Sequence, residues 1–346
     1  MMKLKCLILV VMCLVVSNAD ENKKKDHNHD AHNALCDLMK AAVGKWGEGG
    51  AGLSDPLKKA LGKTLFGKES GWETVETLKT VPKDYSTAGG LREYMCGQPS
   101  HEKAFFDNPH QVRWSGHSSP HDMVCLCTAG SHGWPVNESS QKDTLCGKYG
   151  SILKATKGKG WDSENEEKGA EHGGEQIEAT WKEIVKQCLD EDGKKGENLK
   201  EALNKFINAL VEKPGDPAHP TRTQLGEGTP NNYTGCTGSS TRGVCVMYYP
   251  KDKHATPWWL VLDEALKEDE QIQKQRAEEE KRKQQQEAAK KDTNKTEDLK
   301  STTPITNQTE QNKKENITDK LRRLNPTSGT PISRPSSWLL SVVFLF

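Results

Sequence analysis

Cysteines constrain the fold of this 346-residue chain more than any other residue type. Two of the ten, Cys6 and Cys13, lie in an N-terminal apolar run. The remaining eight are an even set, which in a secreted chain predicts a framework of up to four disulfides, with the pairing left open. These eight are Cys36, Cys96, Cys125, Cys127, Cys146, Cys188, Cys236 and Cys245.

Residues 1–19 have the pattern of a secretory signal peptide. Lys3 and Lys5 precede an apolar stretch from Cys6 to Val16, and Ser17 and Ala19 follow it at the spacing of a cleavage site. We therefore expect cleavage after Ala19 and passage into an oxidising compartment. An uncleaved membrane anchor is the alternative, but the apolar run is shorter than the roughly 20 residues that a bilayer span requires.

The composition indicates one moderate core with long solvated segments, because 28% of the residues are charged and 33% are hydrophobic. Lysine and arginine together number 49, as do aspartate and glutamate. A balanced chain of this kind has no basic excess to attract nucleic acid, so no nucleic-acid partner is predicted.

Two segments near the N-terminus show apolar residues at helical spacing, residues 31–46 and 54–66. In the second, Ser54 has the position of an N-cap and Pro56 lies in the first turn. In the first, Cys36 lies on the apolar face, where a disulfide would join the helix to a neighbouring element.

Two further segments, residues 175–190 and 197–213, have the same spacing and are joined by a short linker with two glycines. The apolar face of the second includes Leu210 and Val211. We expect these two helices to pair as an antiparallel hairpin. The predicted fold class is therefore mainly α, an elongated helical bundle or hairpin ectodomain over residues 20–266.

Helical spacing is absent from residues 97–176 and 213–257, which are rich in Gly, Ser and Pro and contain or adjoin most of the cysteines. Long segments without periodicity are either disordered or held by disulfides, and the cysteines favour the second. The prediction is a disulfide-pinned, loop-rich lobe on the helical bundle.

Beyond residue 257 a last core helix is expected to continue as a charged helical extension over residues 267–290. A coiled coil is the rival interpretation, but few apolar residues are available for its a and d positions. Residues 291–328 are polar and proline-containing, a composition that stays disordered, so they are predicted to form a glycosylated tether.

The C-terminal residues Trp338–Phe346 are apolar but too few to span a bilayer. Small residues lie upstream, and taking Ser328 as an attachment site leaves a polar spacer of the length used by GPI signals. Gly329 is the next choice. We therefore predict that residues 329–346 are a removed GPI signal, rather than a buried terminal strand.

Five N-x-[ST] sequons are candidate N-glycosylation sites in a secreted chain. Three of them lie within the predicted tether or its start. The candidates are Asn137, Asn232, Asn294, Asn307 and Asn316.

One stretch carries residues that could bind zinc, namely His117, His121, Cys125, Cys127 and His132, with Cys146 further along. Their spacing matches no standard zinc motif, and cysteines of a secreted chain are more often used in disulfides. No metal is therefore predicted.

Other motifs also favour a protein without catalytic chemistry. The first histidines, His27, His29 and His32, are expected in a frayed, solvated segment. The glycines of residues 47–52 follow a helical pattern rather than a strand, so they do not indicate a dinucleotide site. No nucleophile elbow or zincin helix is present. The chain is predicted to have no cofactor and not to be an enzyme.

Several segments resemble the variant surface glycoproteins of African trypanosomes, particularly the shorter type of Trypanosoma congolense. They are DPLKKALGKTLFGKESG, SGHSSPHDMVCLCTAG, LCGKYG, CTGSSTRGVCVMYY and PWWLVLDEAL. The resemblance covers essentially the whole chain. No cysteine follows Cys245, so the separate cysteine-rich C-terminal domain of some relatives is not expected.

The resemblance implies a helical ectodomain that forms a homodimer and is packed in a GPI-anchored coat on the plasma membrane. Such a coat shields the cell from host antibodies and is exchanged in antigenic variation. Two rival functions remain. One is a GPI-anchored nutrient receptor for a host serum protein, and the other is a metalloenzyme that uses the cluster between His117 and Cys146.

Overall fold

The computed structural model describes residues 24–69, 73–87, 92–99, 113–136, 142–163, 173–190, 198–215, 219–252 and 255–297. The signal peptide, three of the sequons and both candidate GPI attachment residues lie outside these ranges. The chain divides into two units, Met1–Arg282 and Lys283–Phe346.

The described residues are mainly α-helical, so the predicted fold class is confirmed. The helices are α1 (His29–Trp46), α2 (Asp55–Phe66), α3 (Asp84–Thr87), α4 (Arg92–Cys96), α5 (Ser119–Cys127), α6 (Gly174–Thr180), α7 (Lys186–Leu189), α8 (Leu199–Asn208) and α9 (Trp258–Glu297). A π-helical turn, Trp181–Val185, joins α6 to α7, and 3-10 turns cover Val75–Leu78 and Ser131–Gly133.

Two three-stranded sheets accompany the helices. In the first, β1 (Asp26–His27) pairs in parallel with β2 (Thr144–Leu145), which pairs antiparallel with β3 (Lys148–Tyr149). In the second, β5 (Thr221–Glu227) lies between β4 (Val211–Pro214) and β6 (Val244–Tyr248), and both pairings are antiparallel.

Helix α1 is the centre of the helical core. Its predicted apolar face is buried, and α2, α5, α7 and α8 all pack on it. The hairpin prediction is wrong in its partner, because the segment that ends in α7 and helix α8 each pack on α1 rather than forming a pair. The apolar face of α1 is wide enough to contact both α7 and α8. The spacing of apolar residues within a helix shows which face is buried but not which helix covers that face.

Helix α8 also ends earlier than predicted. It stops at Asn208, and Val211 belongs to β4, where its side chain is 55% exposed. The apolar residues after Asn208 continue the helical spacing by coincidence, while pairing with β5 determines the local structure. At α2, Ser54 is at the N-cap as predicted, but its hydroxyl accepts no hydrogen bond from the helix.

The loop-rich prediction for residues 97–176 missed α5, in which every residue is buried. A helix buried on all sides has no polar face, so the periodic pattern that identifies surface helices is absent. The prediction for residues 213–257 likewise missed the β4–β5–β6 sheet. All five residues of β6 are buried, and a strand buried on both faces shows no alternation of apolar and polar residues.

The eight predicted cysteines form four disulfides. Cys36–Cys188 joins α1 to α7, Cys96–Cys125 joins α4 to α5, Cys127–Cys146 joins α5 to the loop after β2, and Cys236–Cys245 connects β6 to the loop before it. Two of the four therefore hold α5.

Helix α9 begins in the core, where Trp258, Trp259, Leu262 and Ala265 are buried, and residues 273–282 of this first unit are exposed. In the second unit the helix continues to Glu297, with exposed side chains at 283–290. The prediction of a disordered tether from residue 291 is therefore wrong for residues 291–297. No helix among the described residues is both long and apolar enough to cross a membrane.

Candidate functional site

The polar side chains around α5 are the strongest candidate for a site, because most of the candidate zinc ligands lie in or beside this helix. His117 and His121 lie with ring centroids 6.1 Å apart, and Nε2 of His121 is 3.7 Å from Sγ of Cys125. His132 is elsewhere, exposed in a 3-10 turn beside Ser131. The structure therefore brings together three of the candidate ligands.

This cluster does not fit a zinc ion. The sulfurs of Cys125, Cys127 and Cys146 are all in disulfides, so none is available as the thiolate that zinc binds. A second group, His32 with Cys36 and Cys188, has the same limitation because its two sulfurs are joined to each other. Neither group offers a complete ligand set.

His121 is held by two neighbouring elements. Its Nε2 lies 2.9 Å from the carbonyl oxygen of Met95 in α4, and its Nδ1 lies 2.7 Å from the hydroxyl of Tyr85 in α3. Because a carbonyl only accepts, Nε2 carries the proton and Nδ1 accepts from the phenol. Burial, together with the nearby Arg113 charge, lowers the pKa of His121 to about 3. The imidazole is therefore neutral at physiological pH.

Arg113 and Asp84 form an ion pair that acts on this histidine. The guanidinium donates twice to the carboxylate, with Nη2 3.2 Å from Oδ1, and lies 4.7 Å from the ring centroid of Tyr85. Both side chains are mostly covered. Burial opposes the charge of Arg113, but Tyr85 and Asp84 outweigh it and raise the pKa of the guanidinium.

Asp122 joins α5 to β6 and α9. Its Oδ2 accepts from the Tyr248 hydroxyl at 2.9 Å and the Trp258 indole at 2.6 Å, and its Oδ1 accepts from the Gly116 amide at 3.0 Å. Burial raises the pKa of Asp122 to about 7, although the three donors oppose the change. Desolvation of a fully buried carboxylate thus outweighs three hydrogen bonds.

Arg92 closes the C-terminal end of α5. It is 0% exposed and donates to the carbonyl oxygens of Cys125, Thr128 and Trp161, at 2.5, 2.8 and 3.0 Å. Cys125 and Thr128 lie at the C-terminal end of α5, where backbone carbonyls have no partner within the helix. Burial lowers the pKa of Arg92 to about 9, so it keeps its charge at neutral pH. No sequence motif marks Arg92, so its role could not be predicted from the sequence.

The arrangement around α5 holds the fold together and has no access for a substrate. His121 and Asp122 are both 0% exposed, and their hydrogen-bonding atoms are occupied by protein groups. A general acid or base must reach the proton that it transfers. The cluster therefore does not support the metalloenzyme hypothesis.

The N-terminal histidines are not in a frayed segment, so that prediction is wrong. His27 is 7% exposed and its Nδ1 lies 2.8 Å from Oε2 of Glu227. Next to it, Asn28 donates to the carbonyl oxygens of Leu126 and Val244 at 2.8 and 2.7 Å. The pairing of β1 with β2 and these side-chain bonds fix residues 26–28, and local composition does not reveal such contacts.

Two sequons fall within the part of the chain that the structure describes. Asn232 is exposed, in a turn where the side-chain oxygen of Asn231 accepts from the amides of Tyr233 and Thr234 at 2.8 and 2.6 Å. Asn294 lies in the last turns of α9. Whether either carries a glycan stays a prediction.

Comparison with known proteins identifies one family. The model of the trypanosomal VSG domain matches residues 40–288, a range that includes α2 to α8 and seven of the eight paired cysteines. No curated protein matches the chain. Since the matched range is well over half of the chain, the protein belongs to the trypanosomal variant surface glycoprotein family.

Proposed function

We propose that the protein is a GPI-anchored coat glycoprotein that forms a dense protective monolayer on a trypanosome and is exchanged in antigenic variation. The match to the trypanosomal VSG domain over residues 40–288 carries this proposal. Proteins of that family are structural components of the cell-surface coat and not enzymes. We further assign the chain to the shorter Trypanosoma congolense type, on the segments named in the sequence analysis.

Anchoring is proposed from the chemistry of the C-terminal residues. The apolar run after Ser337 is too short to span a bilayer, and the small residues at 328–330 precede it at the spacing of a GPI signal. The mature protein would then end at Ser328, or next at Gly329, on a lipid in the outer leaflet of the plasma membrane.

A coat protein must tolerate variation on its surface while keeping its fold. The polar groups that hold α5 are buried, and two disulfides join α5 to its neighbours. Surface substitutions away from such buried groups usually change stability little. Because the groups that hold the fold are buried, the exposed residues can vary under selection by host antibodies. We also propose that the protein packs in the coat as a homodimer.

The test of the coat proposal is access of antibodies to the membrane. Trypanosomes that display this chain as their coat protein are stained with a whole antibody against an invariant membrane protein. We expect staining to be low and to rise after phospholipase releases the chain. Staining that is high before release would contradict a coat function, and stoichiometric co-purification of one host serum protein would favour the nutrient receptor.

A further inference from the structure

His117 and His121 lie one helical turn apart at the start of α5, where α2, α3 and α4 meet it. Neither imidazole has a part in the proposed coat function. His121 contacts α3 through Tyr85 and α4 through the carbonyl of Met95. His117 contacts the C-terminal end of α2, at Gly67. The two imidazoles therefore connect α5 to three neighbouring helices, α2, α3 and α4.

The bonds of His121 specify the neutral form. Nε2–H donates to a carbonyl, and Nδ1 accepts from the Tyr85 hydroxyl at 2.7 Å. A proton added to Nδ1 would face the phenolic proton, so this hydrogen bond must break or reverse. The added charge would also be buried, because His121 is 0% exposed.

His117 is packed without a polar partner of comparable strength. Its ring lies so close to Gly67 that a Cβ atom there would be 1.9 Å from Cε1. The ring of Trp114 contacts it edge-on at 4.7 Å between centroids, and its Nδ1 is 3.4 Å from the Ser118 hydroxyl. A protonated imidazole would have no carboxylate to pair with in this arrangement of described groups.

The charged groups that face the two rings are mostly cationic. Helix α2 contributes Lys63 and the segment before α5 contributes Arg113. Helix α3 contributes Asp84, but Arg113 already donates two hydrogen bonds to that carboxylate. A proton on His117 would therefore be repelled by Arg113 and Lys63. A proton on His121 would be repelled by Arg113 and attracted less strongly by Asp84.

The remaining titratable groups near α5 face other directions. Arg92 of α4 donates to carbonyls at the C-terminal end of α5, and the Tyr248 hydroxyl of β6 donates to Asp122. Asp122 is directed toward α9 and β6 by its bonds to Trp258 and Tyr248. We expect these groups to keep their contacts when His117 and His121 lose theirs.

We propose that His117 and His121 form an acid-sensitive latch, which holds the C-terminal end of α2 and helix α3 on α5 at neutral pH and releases them below about pH 6. The disulfide Cys96–Cys125 keeps α4 attached to α5, which limits the opening. Helices α1 and α8 stay packed.

Linkage gives the expected size of the effect. When the latch opens, each imidazole regains its ordinary pKa of about 6.5, whereas burial keeps it neutral in the closed state. The free energy that favours the closed state is therefore greatest above that pKa and decreases as the pH falls below it. Between pH 7.5 and pH 5 the opening constant rises about 30-fold for each histidine.

Hydrogen–deuterium exchange of the mature full-length protein tests the latch. Exchange is measured at pH 7.5 and pH 5, and each protection factor is corrected for the intrinsic exchange rate at that pH. We expect protection in peptides from residues 55–69 and 73–87 to fall at least 30-fold, with a much smaller change in residues 29–46. Equal protection at the two pH values, or an equal loss in residues 29–46, would overturn the proposal.

The variant His121→Gln provides the second measurement, because glutamine can donate to Met95 and accept from Tyr85 without titrating. It is expected to reduce the pH effect about 30-fold, and His117→Gln should act likewise. His29→Gln, at an exposed imidazole, is the matched control and should leave the effect unchanged. An unchanged pH effect in a folded His121→Gln protein would refute the latch, and the wild-type comparison remains decisive if a variant does not fold.

Discussion

Arg92 is a cation that lies wholly inside the protein and is matched to carbonyl oxygens. Its guanidinium bonds three carbonyls, two of them in or next to the end of α5, and lies 4.9 Å from the Trp161 ring centroid. Guanidinium has several donors in a planar fork, so it can satisfy several acceptors at once. Removing the Arg92 side chain would leave these carbonyls without their donor and would leave a cavity in the core.

We expect Arg92→Ala to lower the free energy of unfolding by about 3 kcal/mol or more, because buried acceptors lose their donor. Arg92→Lys should lower it by less, because an ammonium can still donate to some of the three carbonyls, although it cannot reach all three together. Urea unfolding at pH 7.5 measures both. Arg276→Ala, at an exposed position on α9, is the control and should change stability by less than about 0.5 kcal/mol.

Asp122 predicts a pH dependence of opposite sign to that of the buried histidines. Its pKa is about 7 in the folded protein against 3.8 ordinarily, so the folded state binds the extra proton between these values. Stability from this group is present below pH 3.8 and is lost as pH rises through 7. Relative to Asp122→Asn, the wild type should gain about 1.4 kcal/mol for each unit of pH decrease between 6.5 and 4.5. Urea unfolding of both proteins across this range measures the difference, and parallel curves would contradict the assignment.

At the residue scale, the sequence predicted cysteines and apolar faces better than polar contacts. That the eight cysteines form disulfides follows from their number and the expected compartment, whereas which cysteines pair follows only from the structure. The buried face of α1 follows from residue spacing alone. The bonds of Asn28, Arg92 and Asp122 join residues that are far apart in the chain. No local pattern encodes such contacts, so they could not be predicted.

At the scale of elements, the disulfides close loops of very different length. Cys36–Cys188 spans 152 residues and Cys236–Cys245 spans 9. The entropy that a crosslink removes from the unfolded chain increases with loop length, so the long loop should contribute more to stability.

We therefore expect Cys36→Ala with Cys188→Ala to cost about 5 kcal/mol, and Cys236→Ala with Cys245→Ala about 2.6 kcal/mol. Each double variant avoids leaving a free thiol, which makes the pair a matched comparison. Guanidinium unfolding under non-reducing conditions measures the two losses. A larger loss for the short loop would show that strain or packing, rather than chain entropy, dominates.

Periodicity was a good guide to elements on the surface of the core and a poor one inside it. Helices α1 and α2 have one apolar and one polar face, and their extents were predicted closely. Helix α5 and strand β6 are buried on every side, and the sequence pattern predicts a loop for each. Their residues contact protein on every side, so no alternation remains in the sequence.

At the scale of the whole molecule, glycans are a further expectation. Asn232 is exposed in an ordered turn, so Asn232→Gln should remove one glycan that peptide-N-glycosidase releases. The secreted variant would migrate lower by one glycan mass. Asn204→Gln, at an exposed asparagine outside any sequon, is the control. Equal migration of the Asn232→Gln variant and the wild type would show that this sequon is unused.

The family was evident from several cysteine-containing segments, whereas the partner of each helix was not. Both the resemblance of these segments and the family match over residues 40–288 depend only on the order of residues along the chain. The packing of α7 and α8 on α1 depends on contacts across more than a hundred residues. The proposed ends of the mature chain, after Ala19 and at Ser328, remain predictions.

The GPI lipid that we propose holds the mature protein on the cell surface can be tested on intact cells. Intact cells are treated with a phosphatidylinositol-specific phospholipase, and the C-terminal peptide of the released protein is identified by mass spectrometry. We expect the protein to be released and its C-terminal peptide to end at Ser328, or at Gly329, with a glycan-phosphoinositol remnant. A mature chain that still contains WLLSVVFLF, residues 338–346, would contradict it.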